Sequence, residues 1–418
     1  MKVIKMPNSI LSITLLRVLT AMLVLTFAFG FPFCPHDAAA EEPTVGRVSP
    51  TVMMFHKWDM EKGVASVDRV AELDQTHVQF CVTLVSELNE KHEPQNFGLL
   101  RENRDGSQGN SFYASDAELR AEMKGWLVAA FKRAVEHKLN IAILLHLNAH
   151  GTIQQWRNNY DFDPATPIGG TSYEDALVIP VMESLEQAVP ADWPVQISLQ
   201  GEMGRTVFNH PQAWRDLLKR TRKRGTLNNA EFGLSFNHEA VSGQIRPDEE
   251  ARDTLSQLWR ECDFIGSSMY QRLSPQPNAD DFTFNVGRFV GEFYGLGCPL
   301  PENRPLEFVE FGIGGGGRDA SGQIHTPALT AADAARDLYL GTSKEDQNPW
   351  TSPELVDVRR QTYEALCQFL SQHRQRHPVR AAYLWNHGSW DVHGIMDPPF
   401  ADPEIVKLIK QHNEKVKR

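Results

Sequence analysis

Two short apolar runs in the chain each end on a glutamate: Val195-Gln-Ile-Ser-Leu-Gln-Gly-Glu202 and Leu306-Glu-Phe-Val-Glu310-Phe-Gly312. A carboxylate at the last position of a buried strand is expensive to desolvate, so its presence there points to chemistry. Two such positions suggest a working carboxylate pair. In hydrolysis of a glycosidic bond, one acid protonates the leaving oxygen while a second carboxylate attacks or activates water. Other runs of the same kind end on polar or aromatic residues. His56, Trp58 and Asp59 follow the first, His146 and Asn148 the third, and Asn237, His238 and Glu239 the fifth. Tyr270 closes the sixth, and Trp385, Asn386 and His387 the eighth.

The elements that must carry these residues are eight strand-length apolar runs: 51–55, 77–85, 140–148, 195–202, 231–238, 263–270, 306–312 and 380–386. Most are continuously apolar, as parallel strands covered on both faces require. Helix candidates separate them at 67–74, 115–137, 173–188, 211–225, 248–260, 282–295 and 352–377. Ser115-Asp-Ala-Glu118 reads as a capping box, and Pro211 sits in a first turn. This alternation predicts an α/β fold, a single-domain (β/α)8 TIM barrel over residues 46–416, with its working face at the C-terminal ends of the strands. A doubly wound sheet would announce a glycine-rich turn after its first strand, and Phe55-His-Lys-Trp-Asp59 has none. The glycines at 312–317 lack the Lys-Ser/Thr of a phosphate loop and read as a flexible loop at the mouth. Glu307, out of phase with Glu310 in a strand of period two, is expected to face the helices or solvent.

Residues 1–40 read as a signal peptide. Lys2, Lys5 and Arg17 form the positive leader, residues 19–33 the apolar stretch, and Ala38-Ala39-Ala40 the cleavage site. The expected mature protein is exported, periplasmic or extracellular, and membrane-anchored only if the leader is retained. A formal net charge of −11 disfavours nucleic acid as a partner. The cysteines at 81, 262, 298 and 367 show no C-x-x-C spacing; Cys81 and Cys262 lie in apolar runs and read as buried thiols, while a disulfide stays open. No H-E-x-x-H or H-x-H pair supports a metal, and no cofactor is implied. A polar, aromatic, carboxylate-bearing mouth suits a carbohydrate, whose hydroxyls need hydrogen bonds and whose apolar ring faces stack on indole. Trp156, Tyr160 and Trp390 are candidate stacking platforms, Met53, Met54, Leu144 and Leu145 are barrel filling, and Glu239 reads as a loop residue just past the fifth strand and as the best substitute acid.

With these residues in hand, the chain resembles the retaining clan A glycoside hydrolases. Glu202 and Val309-Glu310-Phe-Gly312 look like their acid/base and nucleophile, Asp263-Phe-Ile-Gly266 leading to Tyr270 like their strand six, and Tyr383-Leu-Trp385 like their strand eight. Within the clan, the run from Leu258 to Tyr270 followed by Leu273 is most similar to family 113, whose characterised members are β-mannanases. The resemblance spans about Thr51 to Asn386 and implies catalysis by Glu202 and Glu310. It also implies that Tyr270 hydrogen-bonds Glu310 and that Trp385 floors the cleaved sugar. Trp58, His146, Asn148, Asn237, His238 and Asn386 complete the expected substrate-binding set. One position departs: clan members place asparagine before the acid/base, where it binds the sugar 2-hydroxyl, and here Gly201 stands. Either Gln200, Asn148 or Asn237 substitutes, or the substrate differs, or activity is low. The rival functions are a non-catalytic carbohydrate-binding barrel and a metal-dependent barrel hydrolase.

Overall fold

The structure, a computed structural model, describes residues 45–73, 76–101, 111–372 and 376–416. The expected leader lies outside the described residues. Eight strands, β1 (Arg47–Met54), β2 (His77–Glu87), β3 (Asn140–His150), β4 (Val195–Gly201), β5 (Ala230–Asn237), β6 (Phe264–Ser268), β7 (Leu306–Phe311) and β8 (Val379–Leu384), pair in parallel in sequence order. β1 pairs with β8 through Arg47↔Ala381 and with β2 through Thr51↔Gln79, so the sheet closes on itself. Their helices are α1 (Gly63–Glu72), α2 (Ala117–Glu136), α3 (Ile179–Ala188), α4 (Pro211–Arg224), α5 (Glu249–Glu261), α6 (Ala279–Gly295), α7 (Pro353–Ser371) and α8 (Pro403–Asn413). The result is the (β/α)8 barrel expected from the alternation. α8, absent from the sequence expectation, begins with Asp402 accepting from the Glu404 and Ile405 amides and Pro403 in its first turn.

Local chemistry explains the helices. α2 starts one residue later than the capping box suggests, because the Asp116 carboxylate takes the Leu119 amide. α6 starts on a capping box of Asn278 and Asp281 and buries Phe282, Val286, Phe289 and Phe293, a stripe at helical spacing against the sheet. α4 does the same with Trp214, Leu217, Leu218 and Thr221.

Inside the barrel the side chains form levels. At the N-terminal end, Gln196 donates to Glu307 (2.7 Å) and Glu231 (2.8 Å), Arg380 reaches both carboxylates, and Arg47 donates to the Tyr383 hydroxyl at 2.8 Å. Above lie Met53, Cys81, Leu144 and Val309, with Phe55 and Trp385 against them. Met54 and Leu145 pack outward, with the helices.

Glu307 corrects the sequence expectation: it is buried within this interior network. The cause is a bulge. Pairing between β6 and β7 passes from Ser267↔Phe308 to Ser268↔Glu310, so the alternation breaks. Glu307, Val309 and Glu310 thus all turn inward, whereas Phe308 and Phe311 pack under α6 and α7 against Phe282, Phe369 and Tyr363.

The glycine run 312–317 is a second correction: it is buried and fastened, not a loose loop. The Gly314 and Gly316 amides donate to Leu338 and Leu340 carbonyls (both 2.9 Å), and Ser389 Oγ donates to the Gly314 carbonyl at 2.6 Å. A Cβ on Gly314 would strike the Leu340 carbonyl and the Trp390 indole, so close approach of backbone explains that glycine. All four described cysteines are buried free thiols. No described helix is long and apolar enough to cross a membrane.

Candidate active site

A cleft of about 1040 Å³ opens at the C-terminal mouth. Glu202, Asn237, Tyr270, Glu310 and Trp385 line it, joined by Trp156, Arg157, Tyr339 and Trp390 from the loops. Glu202 follows the last residue of β4 in a left-handed conformation (φ 58°), uncommon for a residue with a Cβ and of a kind found at functional sites. Its amide donates to the Ser235 carbonyl at 3.0 Å, which fixes the turn. Its Oε1 accepts from Asn237 Nδ2 at 2.8 Å, and its Oε2 from Arg157 at 2.9 Å and the Trp156 indole at 3.3 Å.

Glu310, delivered inward by the β7 bulge, accepts from the Tyr270 hydroxyl at 3.4 Å through Oε2. Its Oε1 lies 2.9 Å from His146 Nε2 and 3.9 Å from an Arg157 guanidinium nitrogen. The first approach is out of line with the ring N–H, so the short separation is a polar contact and not a formed hydrogen bond. Burial pushes the Glu310 carboxyl up to about 7, against the pull of Arg157 and of the Tyr270 and Ser268 hydroxyls. His146 is held well below its ordinary range by burial and then by Arg157, and is a neutral imidazole.

One guanidinium nitrogen therefore stands 2.9 Å from Glu202 Oε2 and 3.9 Å from Glu310 Oε1. The two facing oxygens are then no more than about 7 Å apart, a bound that admits both the retaining and the inverting spacing. Arg157 is the residue that sequence reasoning missed. It lies in the loop after β3, and two of its nitrogens are anchored on Asn148 Oδ1 at 2.8 and 3.2 Å. An arginine beside Trp156 in a long loop carries no sequence signal of its own.

Of the expected binding residues, Asn237, His238, Tyr270 and Trp385 line the cleft. His238 is tied back, however, with Nε2 at 2.8 Å from the Asn285 carbonyl of α6 and its ring stacked on Phe289. Asn148 works through Arg157, and His146 is fully buried behind Glu310. Asn386 and Trp58 do not line the cleft. Asn386 is buried and donates to the Thr51 carbonyl of β1, and the Trp58 ring lies 4.6 Å from Lys62 Nζ. Both follow a strand end closely, but Trp58 already lies in a short helix, Lys57–Glu61, and Asn386 is turned onto β1. Tyr160 is core, Trp156 and Trp390 are cleft walls, and Glu239 at the rim is paired with Arg288 at 2.6 Å.

The histidines disperse: His150 stacks on Phe112, His210 pairs with Asp161 and His387 lies 3.6 Å from Asp397. Among the described residues no three His, Cys, Asp or Glu converge as a metal set.

No family model matches the chain, and no curated protein matches its sequence. Among solved structures, it is similar to a GH113 β-mannanase from Alicyclobacillus acidocaldarius in complex with ManMIm (15% identity, 88% of this chain and 98% of that one, TM-score 0.49). A GH113 β-1,4-mannanase is similar at 14% identity, 90% and 99% coverage and a TM-score of 0.48. GH5_18 from Streptomyces cattleya in complex with GlcNAc follows at 12%, 90% and 82%, with a TM-score of 0.46. Each is a likeness in the course of the chain; the barrel itself stands on the strand pairing above.

Proposed function

We propose that the chain is an exported glycoside hydrolase that cleaves β-linked poly- or oligosaccharide by the retaining route, with β-mannan the first polymer to test. The observation that carries this reading is the meeting of two buried strand-end carboxylates, Glu202 and Glu310, across one guanidinium in an open cleft walled by Trp156, Trp385 and Trp390. Indoles offer faces for sugar rings, and the carboxylate spacing leaves room for a covalent glycosyl intermediate.

In this mechanism Glu310 attacks the anomeric carbon, the bond to the leaving oxygen breaks, and Glu202 gives that oxygen its proton. Glu202 then takes a proton from the water that releases the sugar. Tyr270 and Arg157 stabilise the Glu310 charge, against the cost of its burial. Arg157 and the Trp156 indole have to move off Glu202 Oε2 for proton delivery from it, because both offer that oxygen only donors. That pairing is also what favours a second reading, a carbohydrate-binding barrel without turnover.

Purified chain should release sugar from aryl β-glycosides or β-glycans. Glu202→Ala should slow substrates with poor leaving groups by about 10²-fold or more while sparing activated aryl glycosides, which need no proton. Equal losses on both would remove Glu202 from the acid role. Saturable binding of β-glycans with no hydrolysis of any panel member would establish the binding barrel instead.

A further inference from the structure

His146 is fully buried and does not line the cleft, yet its Nε2 stands 2.9 Å from Glu310 Oε1. Both atoms are buried and make no other hydrogen bond. An unmatched buried polar atom costs about 1–3 kcal/mol, so a donor and an acceptor left over side by side are two halves of one bond.

Two further features serve that imidazole. A Cβ at position 201 would collide with the ring at Cδ2 and Nε2, and Gly201 is not in the left-handed region, so space and not backbone freedom accounts for the glycine. Behind the ring, Cys81 Sγ lies 3.4 Å from Nδ1. Burial pushes the Cys81 thiol far up, so it stays protonated and can donate to Nδ1, which leaves the proton on Nε2.

We propose that His146 is a positioning residue for Glu310: a neutral imidazole, oriented by Cys81 and admitted by Gly201, that presents its Nε2–H to the carboxylate. The inference rests on Glu310 being a reacting carboxylate. The groups facing Glu310 are then His146 from β3, Arg157 from the loop beyond it, Ser268 at the end of β6, Tyr270 beyond it and the Cys81 thiol from β2; Glu202 from the end of β4 shares the Arg157 guanidinium.

The test follows the Glu310 carboxyl band through a pH titration of the full chain by difference infrared spectroscopy, with Glu310→Gln as the subtraction and no substrate present. His146→Leu keeps bulk and removes the donor, and should move the midpoint to higher pH by about one unit. Gly201→Ala keeps every donor but displaces the ring, and should shift the midpoint the same way; it decides alone if the Leu variant does not fold. His146→Gln, which restores an N–H, should return the midpoint toward wild type. A purely structural histidine would lower stability and leave the midpoint still, and that result overturns the proposal. Shifted midpoints in a chain that hydrolyses nothing would keep the His146 assignment and sink the hydrolase reading. Hydrolysis with unmoved midpoints would do the reverse.

Discussion

Glu202 and Glu310 share a guanidinium but differ in company. Glu202 is met by three donors, whereas Glu310 has one weak hydroxyl bond and a buried setting that lifts its carboxyl from 4.5 to about 7. A carboxyl raised on folding binds its proton more tightly in the native state. Its contribution is therefore fully present below the unfolded value and is lost as pH rises through about 7. At pH 8 the buried charge costs up to about 3 kcal/mol. Glu310→Gln should thus raise thermal stability at pH 8 by up to that amount, change it little at pH 4, and abolish turnover. Melting curves at the two pH values check the sign, and a variant less stable at pH 8 would show that Arg157 outweighs burial. The two acids, Asn237, Tyr270 and Trp385 were legible because a polar residue closing an apolar strand has few places to go but the mouth. Arg157 was not, since loop conformation places it, and Trp58 and Asn386 were misjudged because the residue after a strand end is free to turn away.

β7 carries two glutamates with unrelated work. Strict alternation sends one of any odd-spaced pair outward, and no residue in Leu306–Phe311 advertises the bulge that turns Glu307, Val309 and Glu310 to the same side. The strands as a set were legible because continuous apolar runs are hard to mistake, whereas a one-residue slip in pairing depends on neighbours far along the chain. Glu307 belongs to the floor of the barrel, where Gln196 and Arg380 depend on it. Glu307→Ala should leave those donors short and destabilise the chain by about 3 kcal/mol, with little change in turnover of the folded fraction. Urea unfolding beside specific activity measures both. A large loss of activity in fully folded protein would mean that floor and mouth are coupled through β7.

At the scale of the molecule, closure of the sheet gathers the eight strand-to-helix loops at the C-terminal mouth and encloses Cys81, while the packing of the helix layer buries Cys262, Cys298 and Cys367. Iodoacetamide should leave Cys81, Cys262, Cys298 and Cys367 unlabelled in native buffer, with labelling appearing only across the denaturant transition, as read by mass spectrometry. Early labelling of one site would locate an element that opens before the rest. The same sealing carries a practical corollary. With no covalent cross-link among these four positions, the barrel is held by non-covalent contacts and needs no oxidant for them. A chain starting near Thr44 should mature as readily in the reducing interior of a production host as in any compartment beyond a membrane.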